Sequence, residues 1–137
     1  MQDTCLKRIG RYLKATRARG LVLRPSGGLK IDAHPDADFA GLYGHEKSND
    51  PTCTKIRTGF LINLSDCPIL WVGKLQRETA LSTMENEINA LSHCCRKLFP
   101  LMDMVQEIGK SVGMPTKDLT SMHVSVHWDN YGALVLA

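Results

Sequence analysis

The sequence predicts an α/β domain, a mixed sheet with helices packed on its faces, and three observations predict it. Apolar residues alternate at Lys55–Leu64, with Ile56, Phe60 and Ile62 on one face, and again at Val124, Val126 and Trp128. Between these strand patterns, Met84, Ile88, Leu91, Cys95, Leu98, Met102 and Val105 recur at helical spacing and mark a long helix. Turn residues separate the segments, so the elements run β-β-β-α(α)-β-α, the order of a mixed sheet covered by helices.

Each element has its own local cause. Leu6, Ile9 and Leu13 lie at helical spacing among Lys and Arg, which predicts a basic amphipathic helix closed by Gly20. Leu21-Val-Leu23 reads as a short strand. Pro25-Ser-Gly-Gly28 is a turn and the best internal boundary in the chain. Leu29–Ala33 is the first strand of the sheet and runs toward Asp36. The polar stretch Gly41–Thr54 is a loop, and Ser65-Asp66 turns a hairpin into the strand Ile69–Val72. The long helix starts at Ser82, and Pro100 predicts a kink or two helices meeting there. Gly109 to Asp118 reads as a loop, and Asn130–Ala137 as the first turns of another helix.

At 137 residues and 15.2 kDa, with 43% hydrophobic and 23% charged residues, the chain has one domain's worth of ordinary globular sequence. No apolar run approaches the ~20 residues of a membrane span, and Met1-Gln-Asp-Thr-Cys5 lacks the apolar core of a signal peptide. The five cysteines form no C-x-x-C pair and are odd in number, so reduced thiols in a cytoplasmic or nuclear protein are expected. Charge is uneven. Residues 1–30 carry eight Lys and Arg against Asp3 alone, whereas residues 31–137 carry nine basic and thirteen acidic residues. A basic lead segment ahead of an acidic body suits a polyanion held near a metal site, or is simply the solvated face of a helix.

The acids carry the chemistry. Asp36-Ala-Asp38, Met84-Glu-Asn-Glu87 and Asp129-Asn130 fall at a strand end, inside the helix and after the last strand. Carboxylates brought together from such positions form a hard oxygen-rich pocket suited to Mg²⁺, whose paired ions are the usual device for phosphodiester hydrolysis. Ser82-Thr-Met-Glu85 is a capping box, which gives Glu85 a structural task. Glu87, three residues after Met84 and four before Leu91, shares the face that packs on the sheet and is the better ligand. The alternatives are ordinary: a turn pair at Asp36 and Asp38, an N-cap at Asp129, and Glu87 at the wet edge of the stripe. His123 and His127 flank Ser125 on one strand face without further ligands, so a zinc site is disfavoured. Cys94 and Cys95 read as small buried hydrophobes. Gly27-Gly28 lacks a phosphate-loop context, and no Ser/His/Asp or Cys/His nucleophile signature is present.

Five motifs occur in one register: Pro35-Asp-Ala-Asp-Phe-Ala-Gly41, Thr58-Gly-Phe-Leu61, Ile69-Leu-Trp-Val-Gly-Lys-Leu-Gln76, Ala80-Leu-Ser-Thr-Met-Glu-Asn-Glu-Ile-Asn-Ala-Leu91 and Trp128-Asp-Asn-Tyr-Gly-Ala133. In that order they resemble the ribonuclease H domain of copia-type retrotransposon polyproteins, over residues 29–137. Residues 1–28, with Leu6-Lys-Arg-Ile-Gly-Arg-Tyr-Leu-Lys-Ala-Thr16 and Gly20-Leu-Val-Leu23, are similar to the end of the reverse transcriptase region that precedes it.

The resemblance implies a ribonuclease H-like fold that cuts RNA in an RNA–DNA hybrid with two Mg²⁺ ions. It implies Asp36, Glu87 and Asp129 as catalytic metal ligands, with Asp38 secondary. Lys7, Arg8, Arg11 and Lys14 are the residues expected to follow nucleic-acid phosphates. The expected partners are the hybrid and the reverse transcriptase portion of the same polyprotein, and no membrane. Departures matter too. The family's fourth acid and a fifth strand lie downstream in its pattern and are absent from these 137 residues, so a C-terminally truncated domain with weak or no activity is expected. The other expectation is a non-catalytic remnant, serving at most as a nucleic-acid-binding or scaffold domain. Pro35 suits only a strand end or edge, and Asn86 and Ile88 stand where Ala and an aromatic are usual.

Overall fold

Alternation along the chain builds one open sheet. The structure, a computed structural model, describes residues 2–38, 56–76 and 82–129. Within them the elements are α1 (Gln2–Thr16), β1 (Lys30–Asp38), β2 (Arg57–Leu64), β3 (Cys67–Leu75), α2 (Thr83–Ser111), α3 (Thr116–Thr120) and β4 (His123–Val126). The strands lie in the order β3-β2-β1-β4, with β4 parallel to β1 and the other pairs antiparallel. This is an α/β fold with a mixed sheet, and it fits the ribonuclease H-like arrangement. The predicted loop Gly41–Thr54, Lys55 and the predicted helix Asn130–Ala137 lie outside the described residues.

The hairpin between β2 and β3 turns at Ser65 and Asp66, which take φ of 49° and 66°. Two consecutive left-handed residues are what a two-residue hairpin turn demands, and neither is glycine. Hydrogen bonds offset that cost: Ser65 N–H donates to the Lys30 carbonyl at 2.8 Å, and its hydroxyl to the Gly28 carbonyl at 2.7 Å. The Asp66 carboxylate accepts from Ser26 and Lys30. Gly27 and Gly28, at φ of 70° and 80°, let the chain approach this turn from the lead segment.

The core forms where α2 crosses the sheet. Ile31 and Ala33 of β1 and Phe60 and Ile62 of β2 meet Cys94, Leu98 and Leu101. At the far end of α2, a methyl on Gly109 would lie 2.4 Å from Leu119 Cδ2, so with any larger residue the Leu119 side chain would have to shift from its seat.

Several expectations are corrected. Leu21–Leu23 forms no strand; it is exposed and no neighbouring strand supplies a ladder. The first helix ends at Thr16 rather than at Gly20, where the Thr16 hydroxyl donates to the Tyr12 carbonyl. The first strand runs on to Asp38 and contains Pro35. It tolerates the proline because pairing with β4 stops at Ala33, so the missing N–H falls on a local edge. Pro100 lies exposed inside a single helix, α2, which does not divide there. The buried face of α2 is Asn86, Glu87, Ala90, Cys94, Leu98 and Leu101, rotated from the expected stripe, and Ile88 is exposed. Small Ala90 and Cys94 let the helix approach the sheet, while Met102 and Val105 flank the contact. The supposed loop 109–118 contains the end of α2 and the start of α3.

Candidate functional site

Register carries the acids together. β1 and β4 run parallel with Ala33 opposite Val126, and His127 N–H extends the ladder by donating to the Ala33 carbonyl at 2.8 Å. Asp36 and Asp129 each lie three residues beyond that pair, so Asp129, past the end of β4, lies at the same end of the sheet as Asp36, which is still paired with Gly59 of β2. Glu87 arrives from the first turns of α2, which Ser82 caps by accepting the Glu85 N–H at 3.1 Å. One carboxylate oxygen from each of Asp36, Glu87 and Asp129 lies within 4.8 Å of the others.

The three differ in environment. Asp36 and Asp129 are exposed, whereas Glu87 is only 8% exposed. Burial raises the Glu87 pKa above the usual carboxylate value, and the neighbouring charges of Asp129 and Asp36 raise it further. Hydrogen bonds from the Trp128 indole N–H, at 3.3 Å, and the Ala37 backbone act in the opposite direction and aim the carboxylate. Among the described residues no lysine or arginine joins the cluster, and three converging carboxylates are an arrangement that a cation relieves.

Above the acids lies an open cavity of about 380 Å³, lined by His34, Pro35, Asp36, His127, Trp128 and Asp129. His127 Nε2 bonds Asp32 Oδ1 at 3.0 Å, and its ring stacks on His34 with centroids 4.6 Å apart and planes 10° apart. The His127 bond, aided by Lys30 at 3.6 Å, holds the Asp32 pKa below the usual carboxylate range.

Other candidate residues stay apart. Asp38 is on β1 but outside the cluster, and Glu85 contributes its backbone to the cap. Lys7, Arg8, Arg11 and Lys14 are exposed on α1, which touches none of the other described helices or strands. Lys7 pairs with Asp3 at 2.6 Å. His123 bonds Ser125 at 2.8 Å, so His123 and His127 have separate partners. Cys94 is buried, which pushes its thiol pKa up to about 11, and His93 accepts from Lys74 at 2.9 Å. The cysteines among the described residues are free.

Reading the sequence overlooked Trp128 and the two histidines as members of this site. Trp128 was read as the last residue of the final strand's alternation, but β4 ends at Val126; its place directly before Asp129 was the available signal. The pairing of His34 with His127 depends on strand adjacency and had no local signal.

Comparison with known proteins decides the relationship. Over 131 residues the chain is 28% identical to the retrovirus-related Pol polyprotein from transposon RE2 of Arabidopsis thaliana, covering 96% of this chain and 8% of that one. It is 34% identical over 104 residues to the Pol polyprotein from transposon TNT 1-94 of Nicotiana tabacum, 76% of this chain and 7% of that one. The chain is a relative of plant-transposon Pol polyproteins. It corresponds to one segment of them, less than a tenth of their length. A secreted RxLR effector protein 161 of Plasmopara viticola is also similar, at 35% identity over 92 residues, 67% of this chain and 59% of that one. No family model matches the chain, and no solved structure does. No helix among the described residues is long and apolar enough to cross a membrane.

Proposed function

We propose that this Pol-related chain is a copia-type polyprotein segment in which residues 29–137 form a ribonuclease H-like domain and residues 1–28 the tail of a reverse transcriptase region. Its substrate is RNA paired with DNA, and its reaction is hydrolysis of a phosphodiester. One observation carries the reading: the carboxylates of Asp36, Glu87 and Asp129 converge within 4.8 Å although they are far apart in sequence.

The donor set fits Mg²⁺. All three groups offer hard carboxylate oxygens, and Glu87 is buried beside Asp129 and Asp36, a setting in which a bound cation favours its charged form. Asp36, Glu87 and Asp129 would hold the metal, and bound Mg²⁺ supplies an activated water and stabilises the leaving 3′-oxygen. The chain's own residues set the stage. Trp128 and Ala37 fix the orientation of Glu87, and the β1–β4 ladder fixes Asp36 beside Asp129. The exposed Lys and Arg of α1 suit phosphate contacts away from the acids. Selection of RNA would rest on its 2′-hydroxyl and A-form shape.

A Mg²⁺-dependent cleavage assay on an RNA–DNA hybrid tests the reading. Cleavage that disappears in Asp36→Asn and Glu87→Gln supports it. Salt-sensitive hybrid binding with no cleavage, unchanged by those substitutions, replaces it with the non-catalytic remnant.

A further inference from the structure

We infer that the stacked imidazoles of His34 and His127 form a nucleoside-packing subsite beside the acids, on the wall of the same cavity. The inference rests on the nucleic-acid reading above and extends it to two residues that metal chemistry leaves unused.

The two rings, one from β1 and one directly after β4, stack face to face with planes 10° apart, so each covers the other's inner face and the stack presents a flat outer aromatic face. That surface is held in place. Asp32 accepts from His127, and Lys30 lies 3.6 Å from the same carboxylate, which fixes the plane of the His127 ring. The surface is also reachable, because the His127 side chain is 53% exposed. It opens into the cavity that Asp36 and Asp129 line. Among the described residues no lysine or arginine lines that cavity, so this wall offers a π-face rather than a phosphate-binding cation. A phosphodiester seated on the acids has a nucleoside on each side. A flat aromatic wall recognises such a group by packing on its sugar or base, and does so with little regard to sequence. The plain alternative is that His127 only pins β4 to β1.

Hybrid binding in Ca²⁺, followed by fluorescence anisotropy, separates these roles. His34→Ala and His127→Ala are expected to weaken binding about tenfold. His34→Phe and His127→Phe keep a flat ring, the second without the bond to Asp32, and both are expected to bind within about twofold of the parent. Equal loss in the Ala and Phe variants, accompanied by lower thermal stability, would show a pin alone and overturn the subsite. Unchanged affinity in the Ala variants overturns it as well.

Ring NMR signals of the two histidines provide the second arm. Adenosine monophosphate and ribose 5-phosphate should both shift them if sugar is packed, and only the first if base is packed. Shifts equal to those from inorganic phosphate overturn the proposal. Failure here with cleavage intact leaves the hydrolase reading standing, whereas ring packing without cleavage leaves only the subsite. A chain that binds no hybrid at all loses both.

Discussion

The two ends of the β1 strand use the same residue types to opposite effect. At the hairpin end, Asp66 meets Lys30 and Ser26, and a little further along Asp32 meets His127 and Lys30. Their carboxylates are held below the ordinary value, by Lys30 at Asp66 and by His127 at Asp32. At the other end, Glu87 is buried against Asp129 and Asp36, and its pKa is raised. Paired acids tie the lead segment and the turn to the sheet. At the clustered end burial disfavours the Glu87 charge, and the neighbouring Asp129 and Asp36 add to that. The difference teaches where to look for function: at the end where the fold tolerates unrelieved charge.

The largest effect expected on stability comes from the element that supports the clustered end. Leu98 is 2% exposed and packs α2 onto the sheet within the cluster containing Ile31, Phe60 and Ile62. Leu98→Ala should cost about 2–5 kcal/mol in urea unfolding, through lost burial and the cavity left behind. A loss below about 1 kcal/mol would mean that α2 does not anchor Glu87 as described.

A smaller effect should distinguish the ends directly. Glu87→Gln removes the buried charge, so without divalent cations it should raise the thermal midpoint at neutral pH by a few °C, on the order of one small stabilising substitution. Millimolar Mg²⁺ should stabilise the parent and leave the variant unmoved, since only a ligand of the folded state shifts the equilibrium. Equal Mg²⁺ responses would remove Glu87 from the site. The sign with pH follows. A carboxyl whose folded pKa is raised above 4.5 makes the native state bind more protons, so its contribution to stability falls as pH rises from 4.5 through the raised value.

The hairpin end should respond the other way. Asp66 has a folded pKa below 3.8, so its contribution is present above 3.8 and lost as pH falls through the lowered value. Lys30 is raised above 10.5, so its contribution is present below 10.5 and lost as pH rises through the raised value. Asp66→Asn should flatten the acid limb of a stability-pH curve without altering its response to Mg²⁺. This is the smallest effect of the three, because the pair is solvated. An unchanged acid limb would show that the pair contributes nothing to stability.

Much of the fold was legible because its causes are local. Alternation at Ile56, Phe60 and Ile62 gave β2, and Ser65-Asp66 gave the turn. The stripe on α2 was misjudged by one residue position, because large apolar residues draw the eye while Ala90 and Cys94 are what close packing selects. Leu21–Leu23 misled for a different reason: strand propensity has no effect without a strand beside it.

What the amino-acid order determined by itself was where the candidate acids fall, with Glu87 on the inward face of its helix and Asp36 and Asp129 near the ends of extended segments. What only the tertiary structure decided was that these acids meet, that Trp128 reaches Glu87, and that His34 lies against His127. The reason is physical. A side chain's face follows from periodicity within a few residues, but parallel pairing of β1 with β4 joins segments separated by most of the chain. Its register depends on how α2 and α3 pack between them.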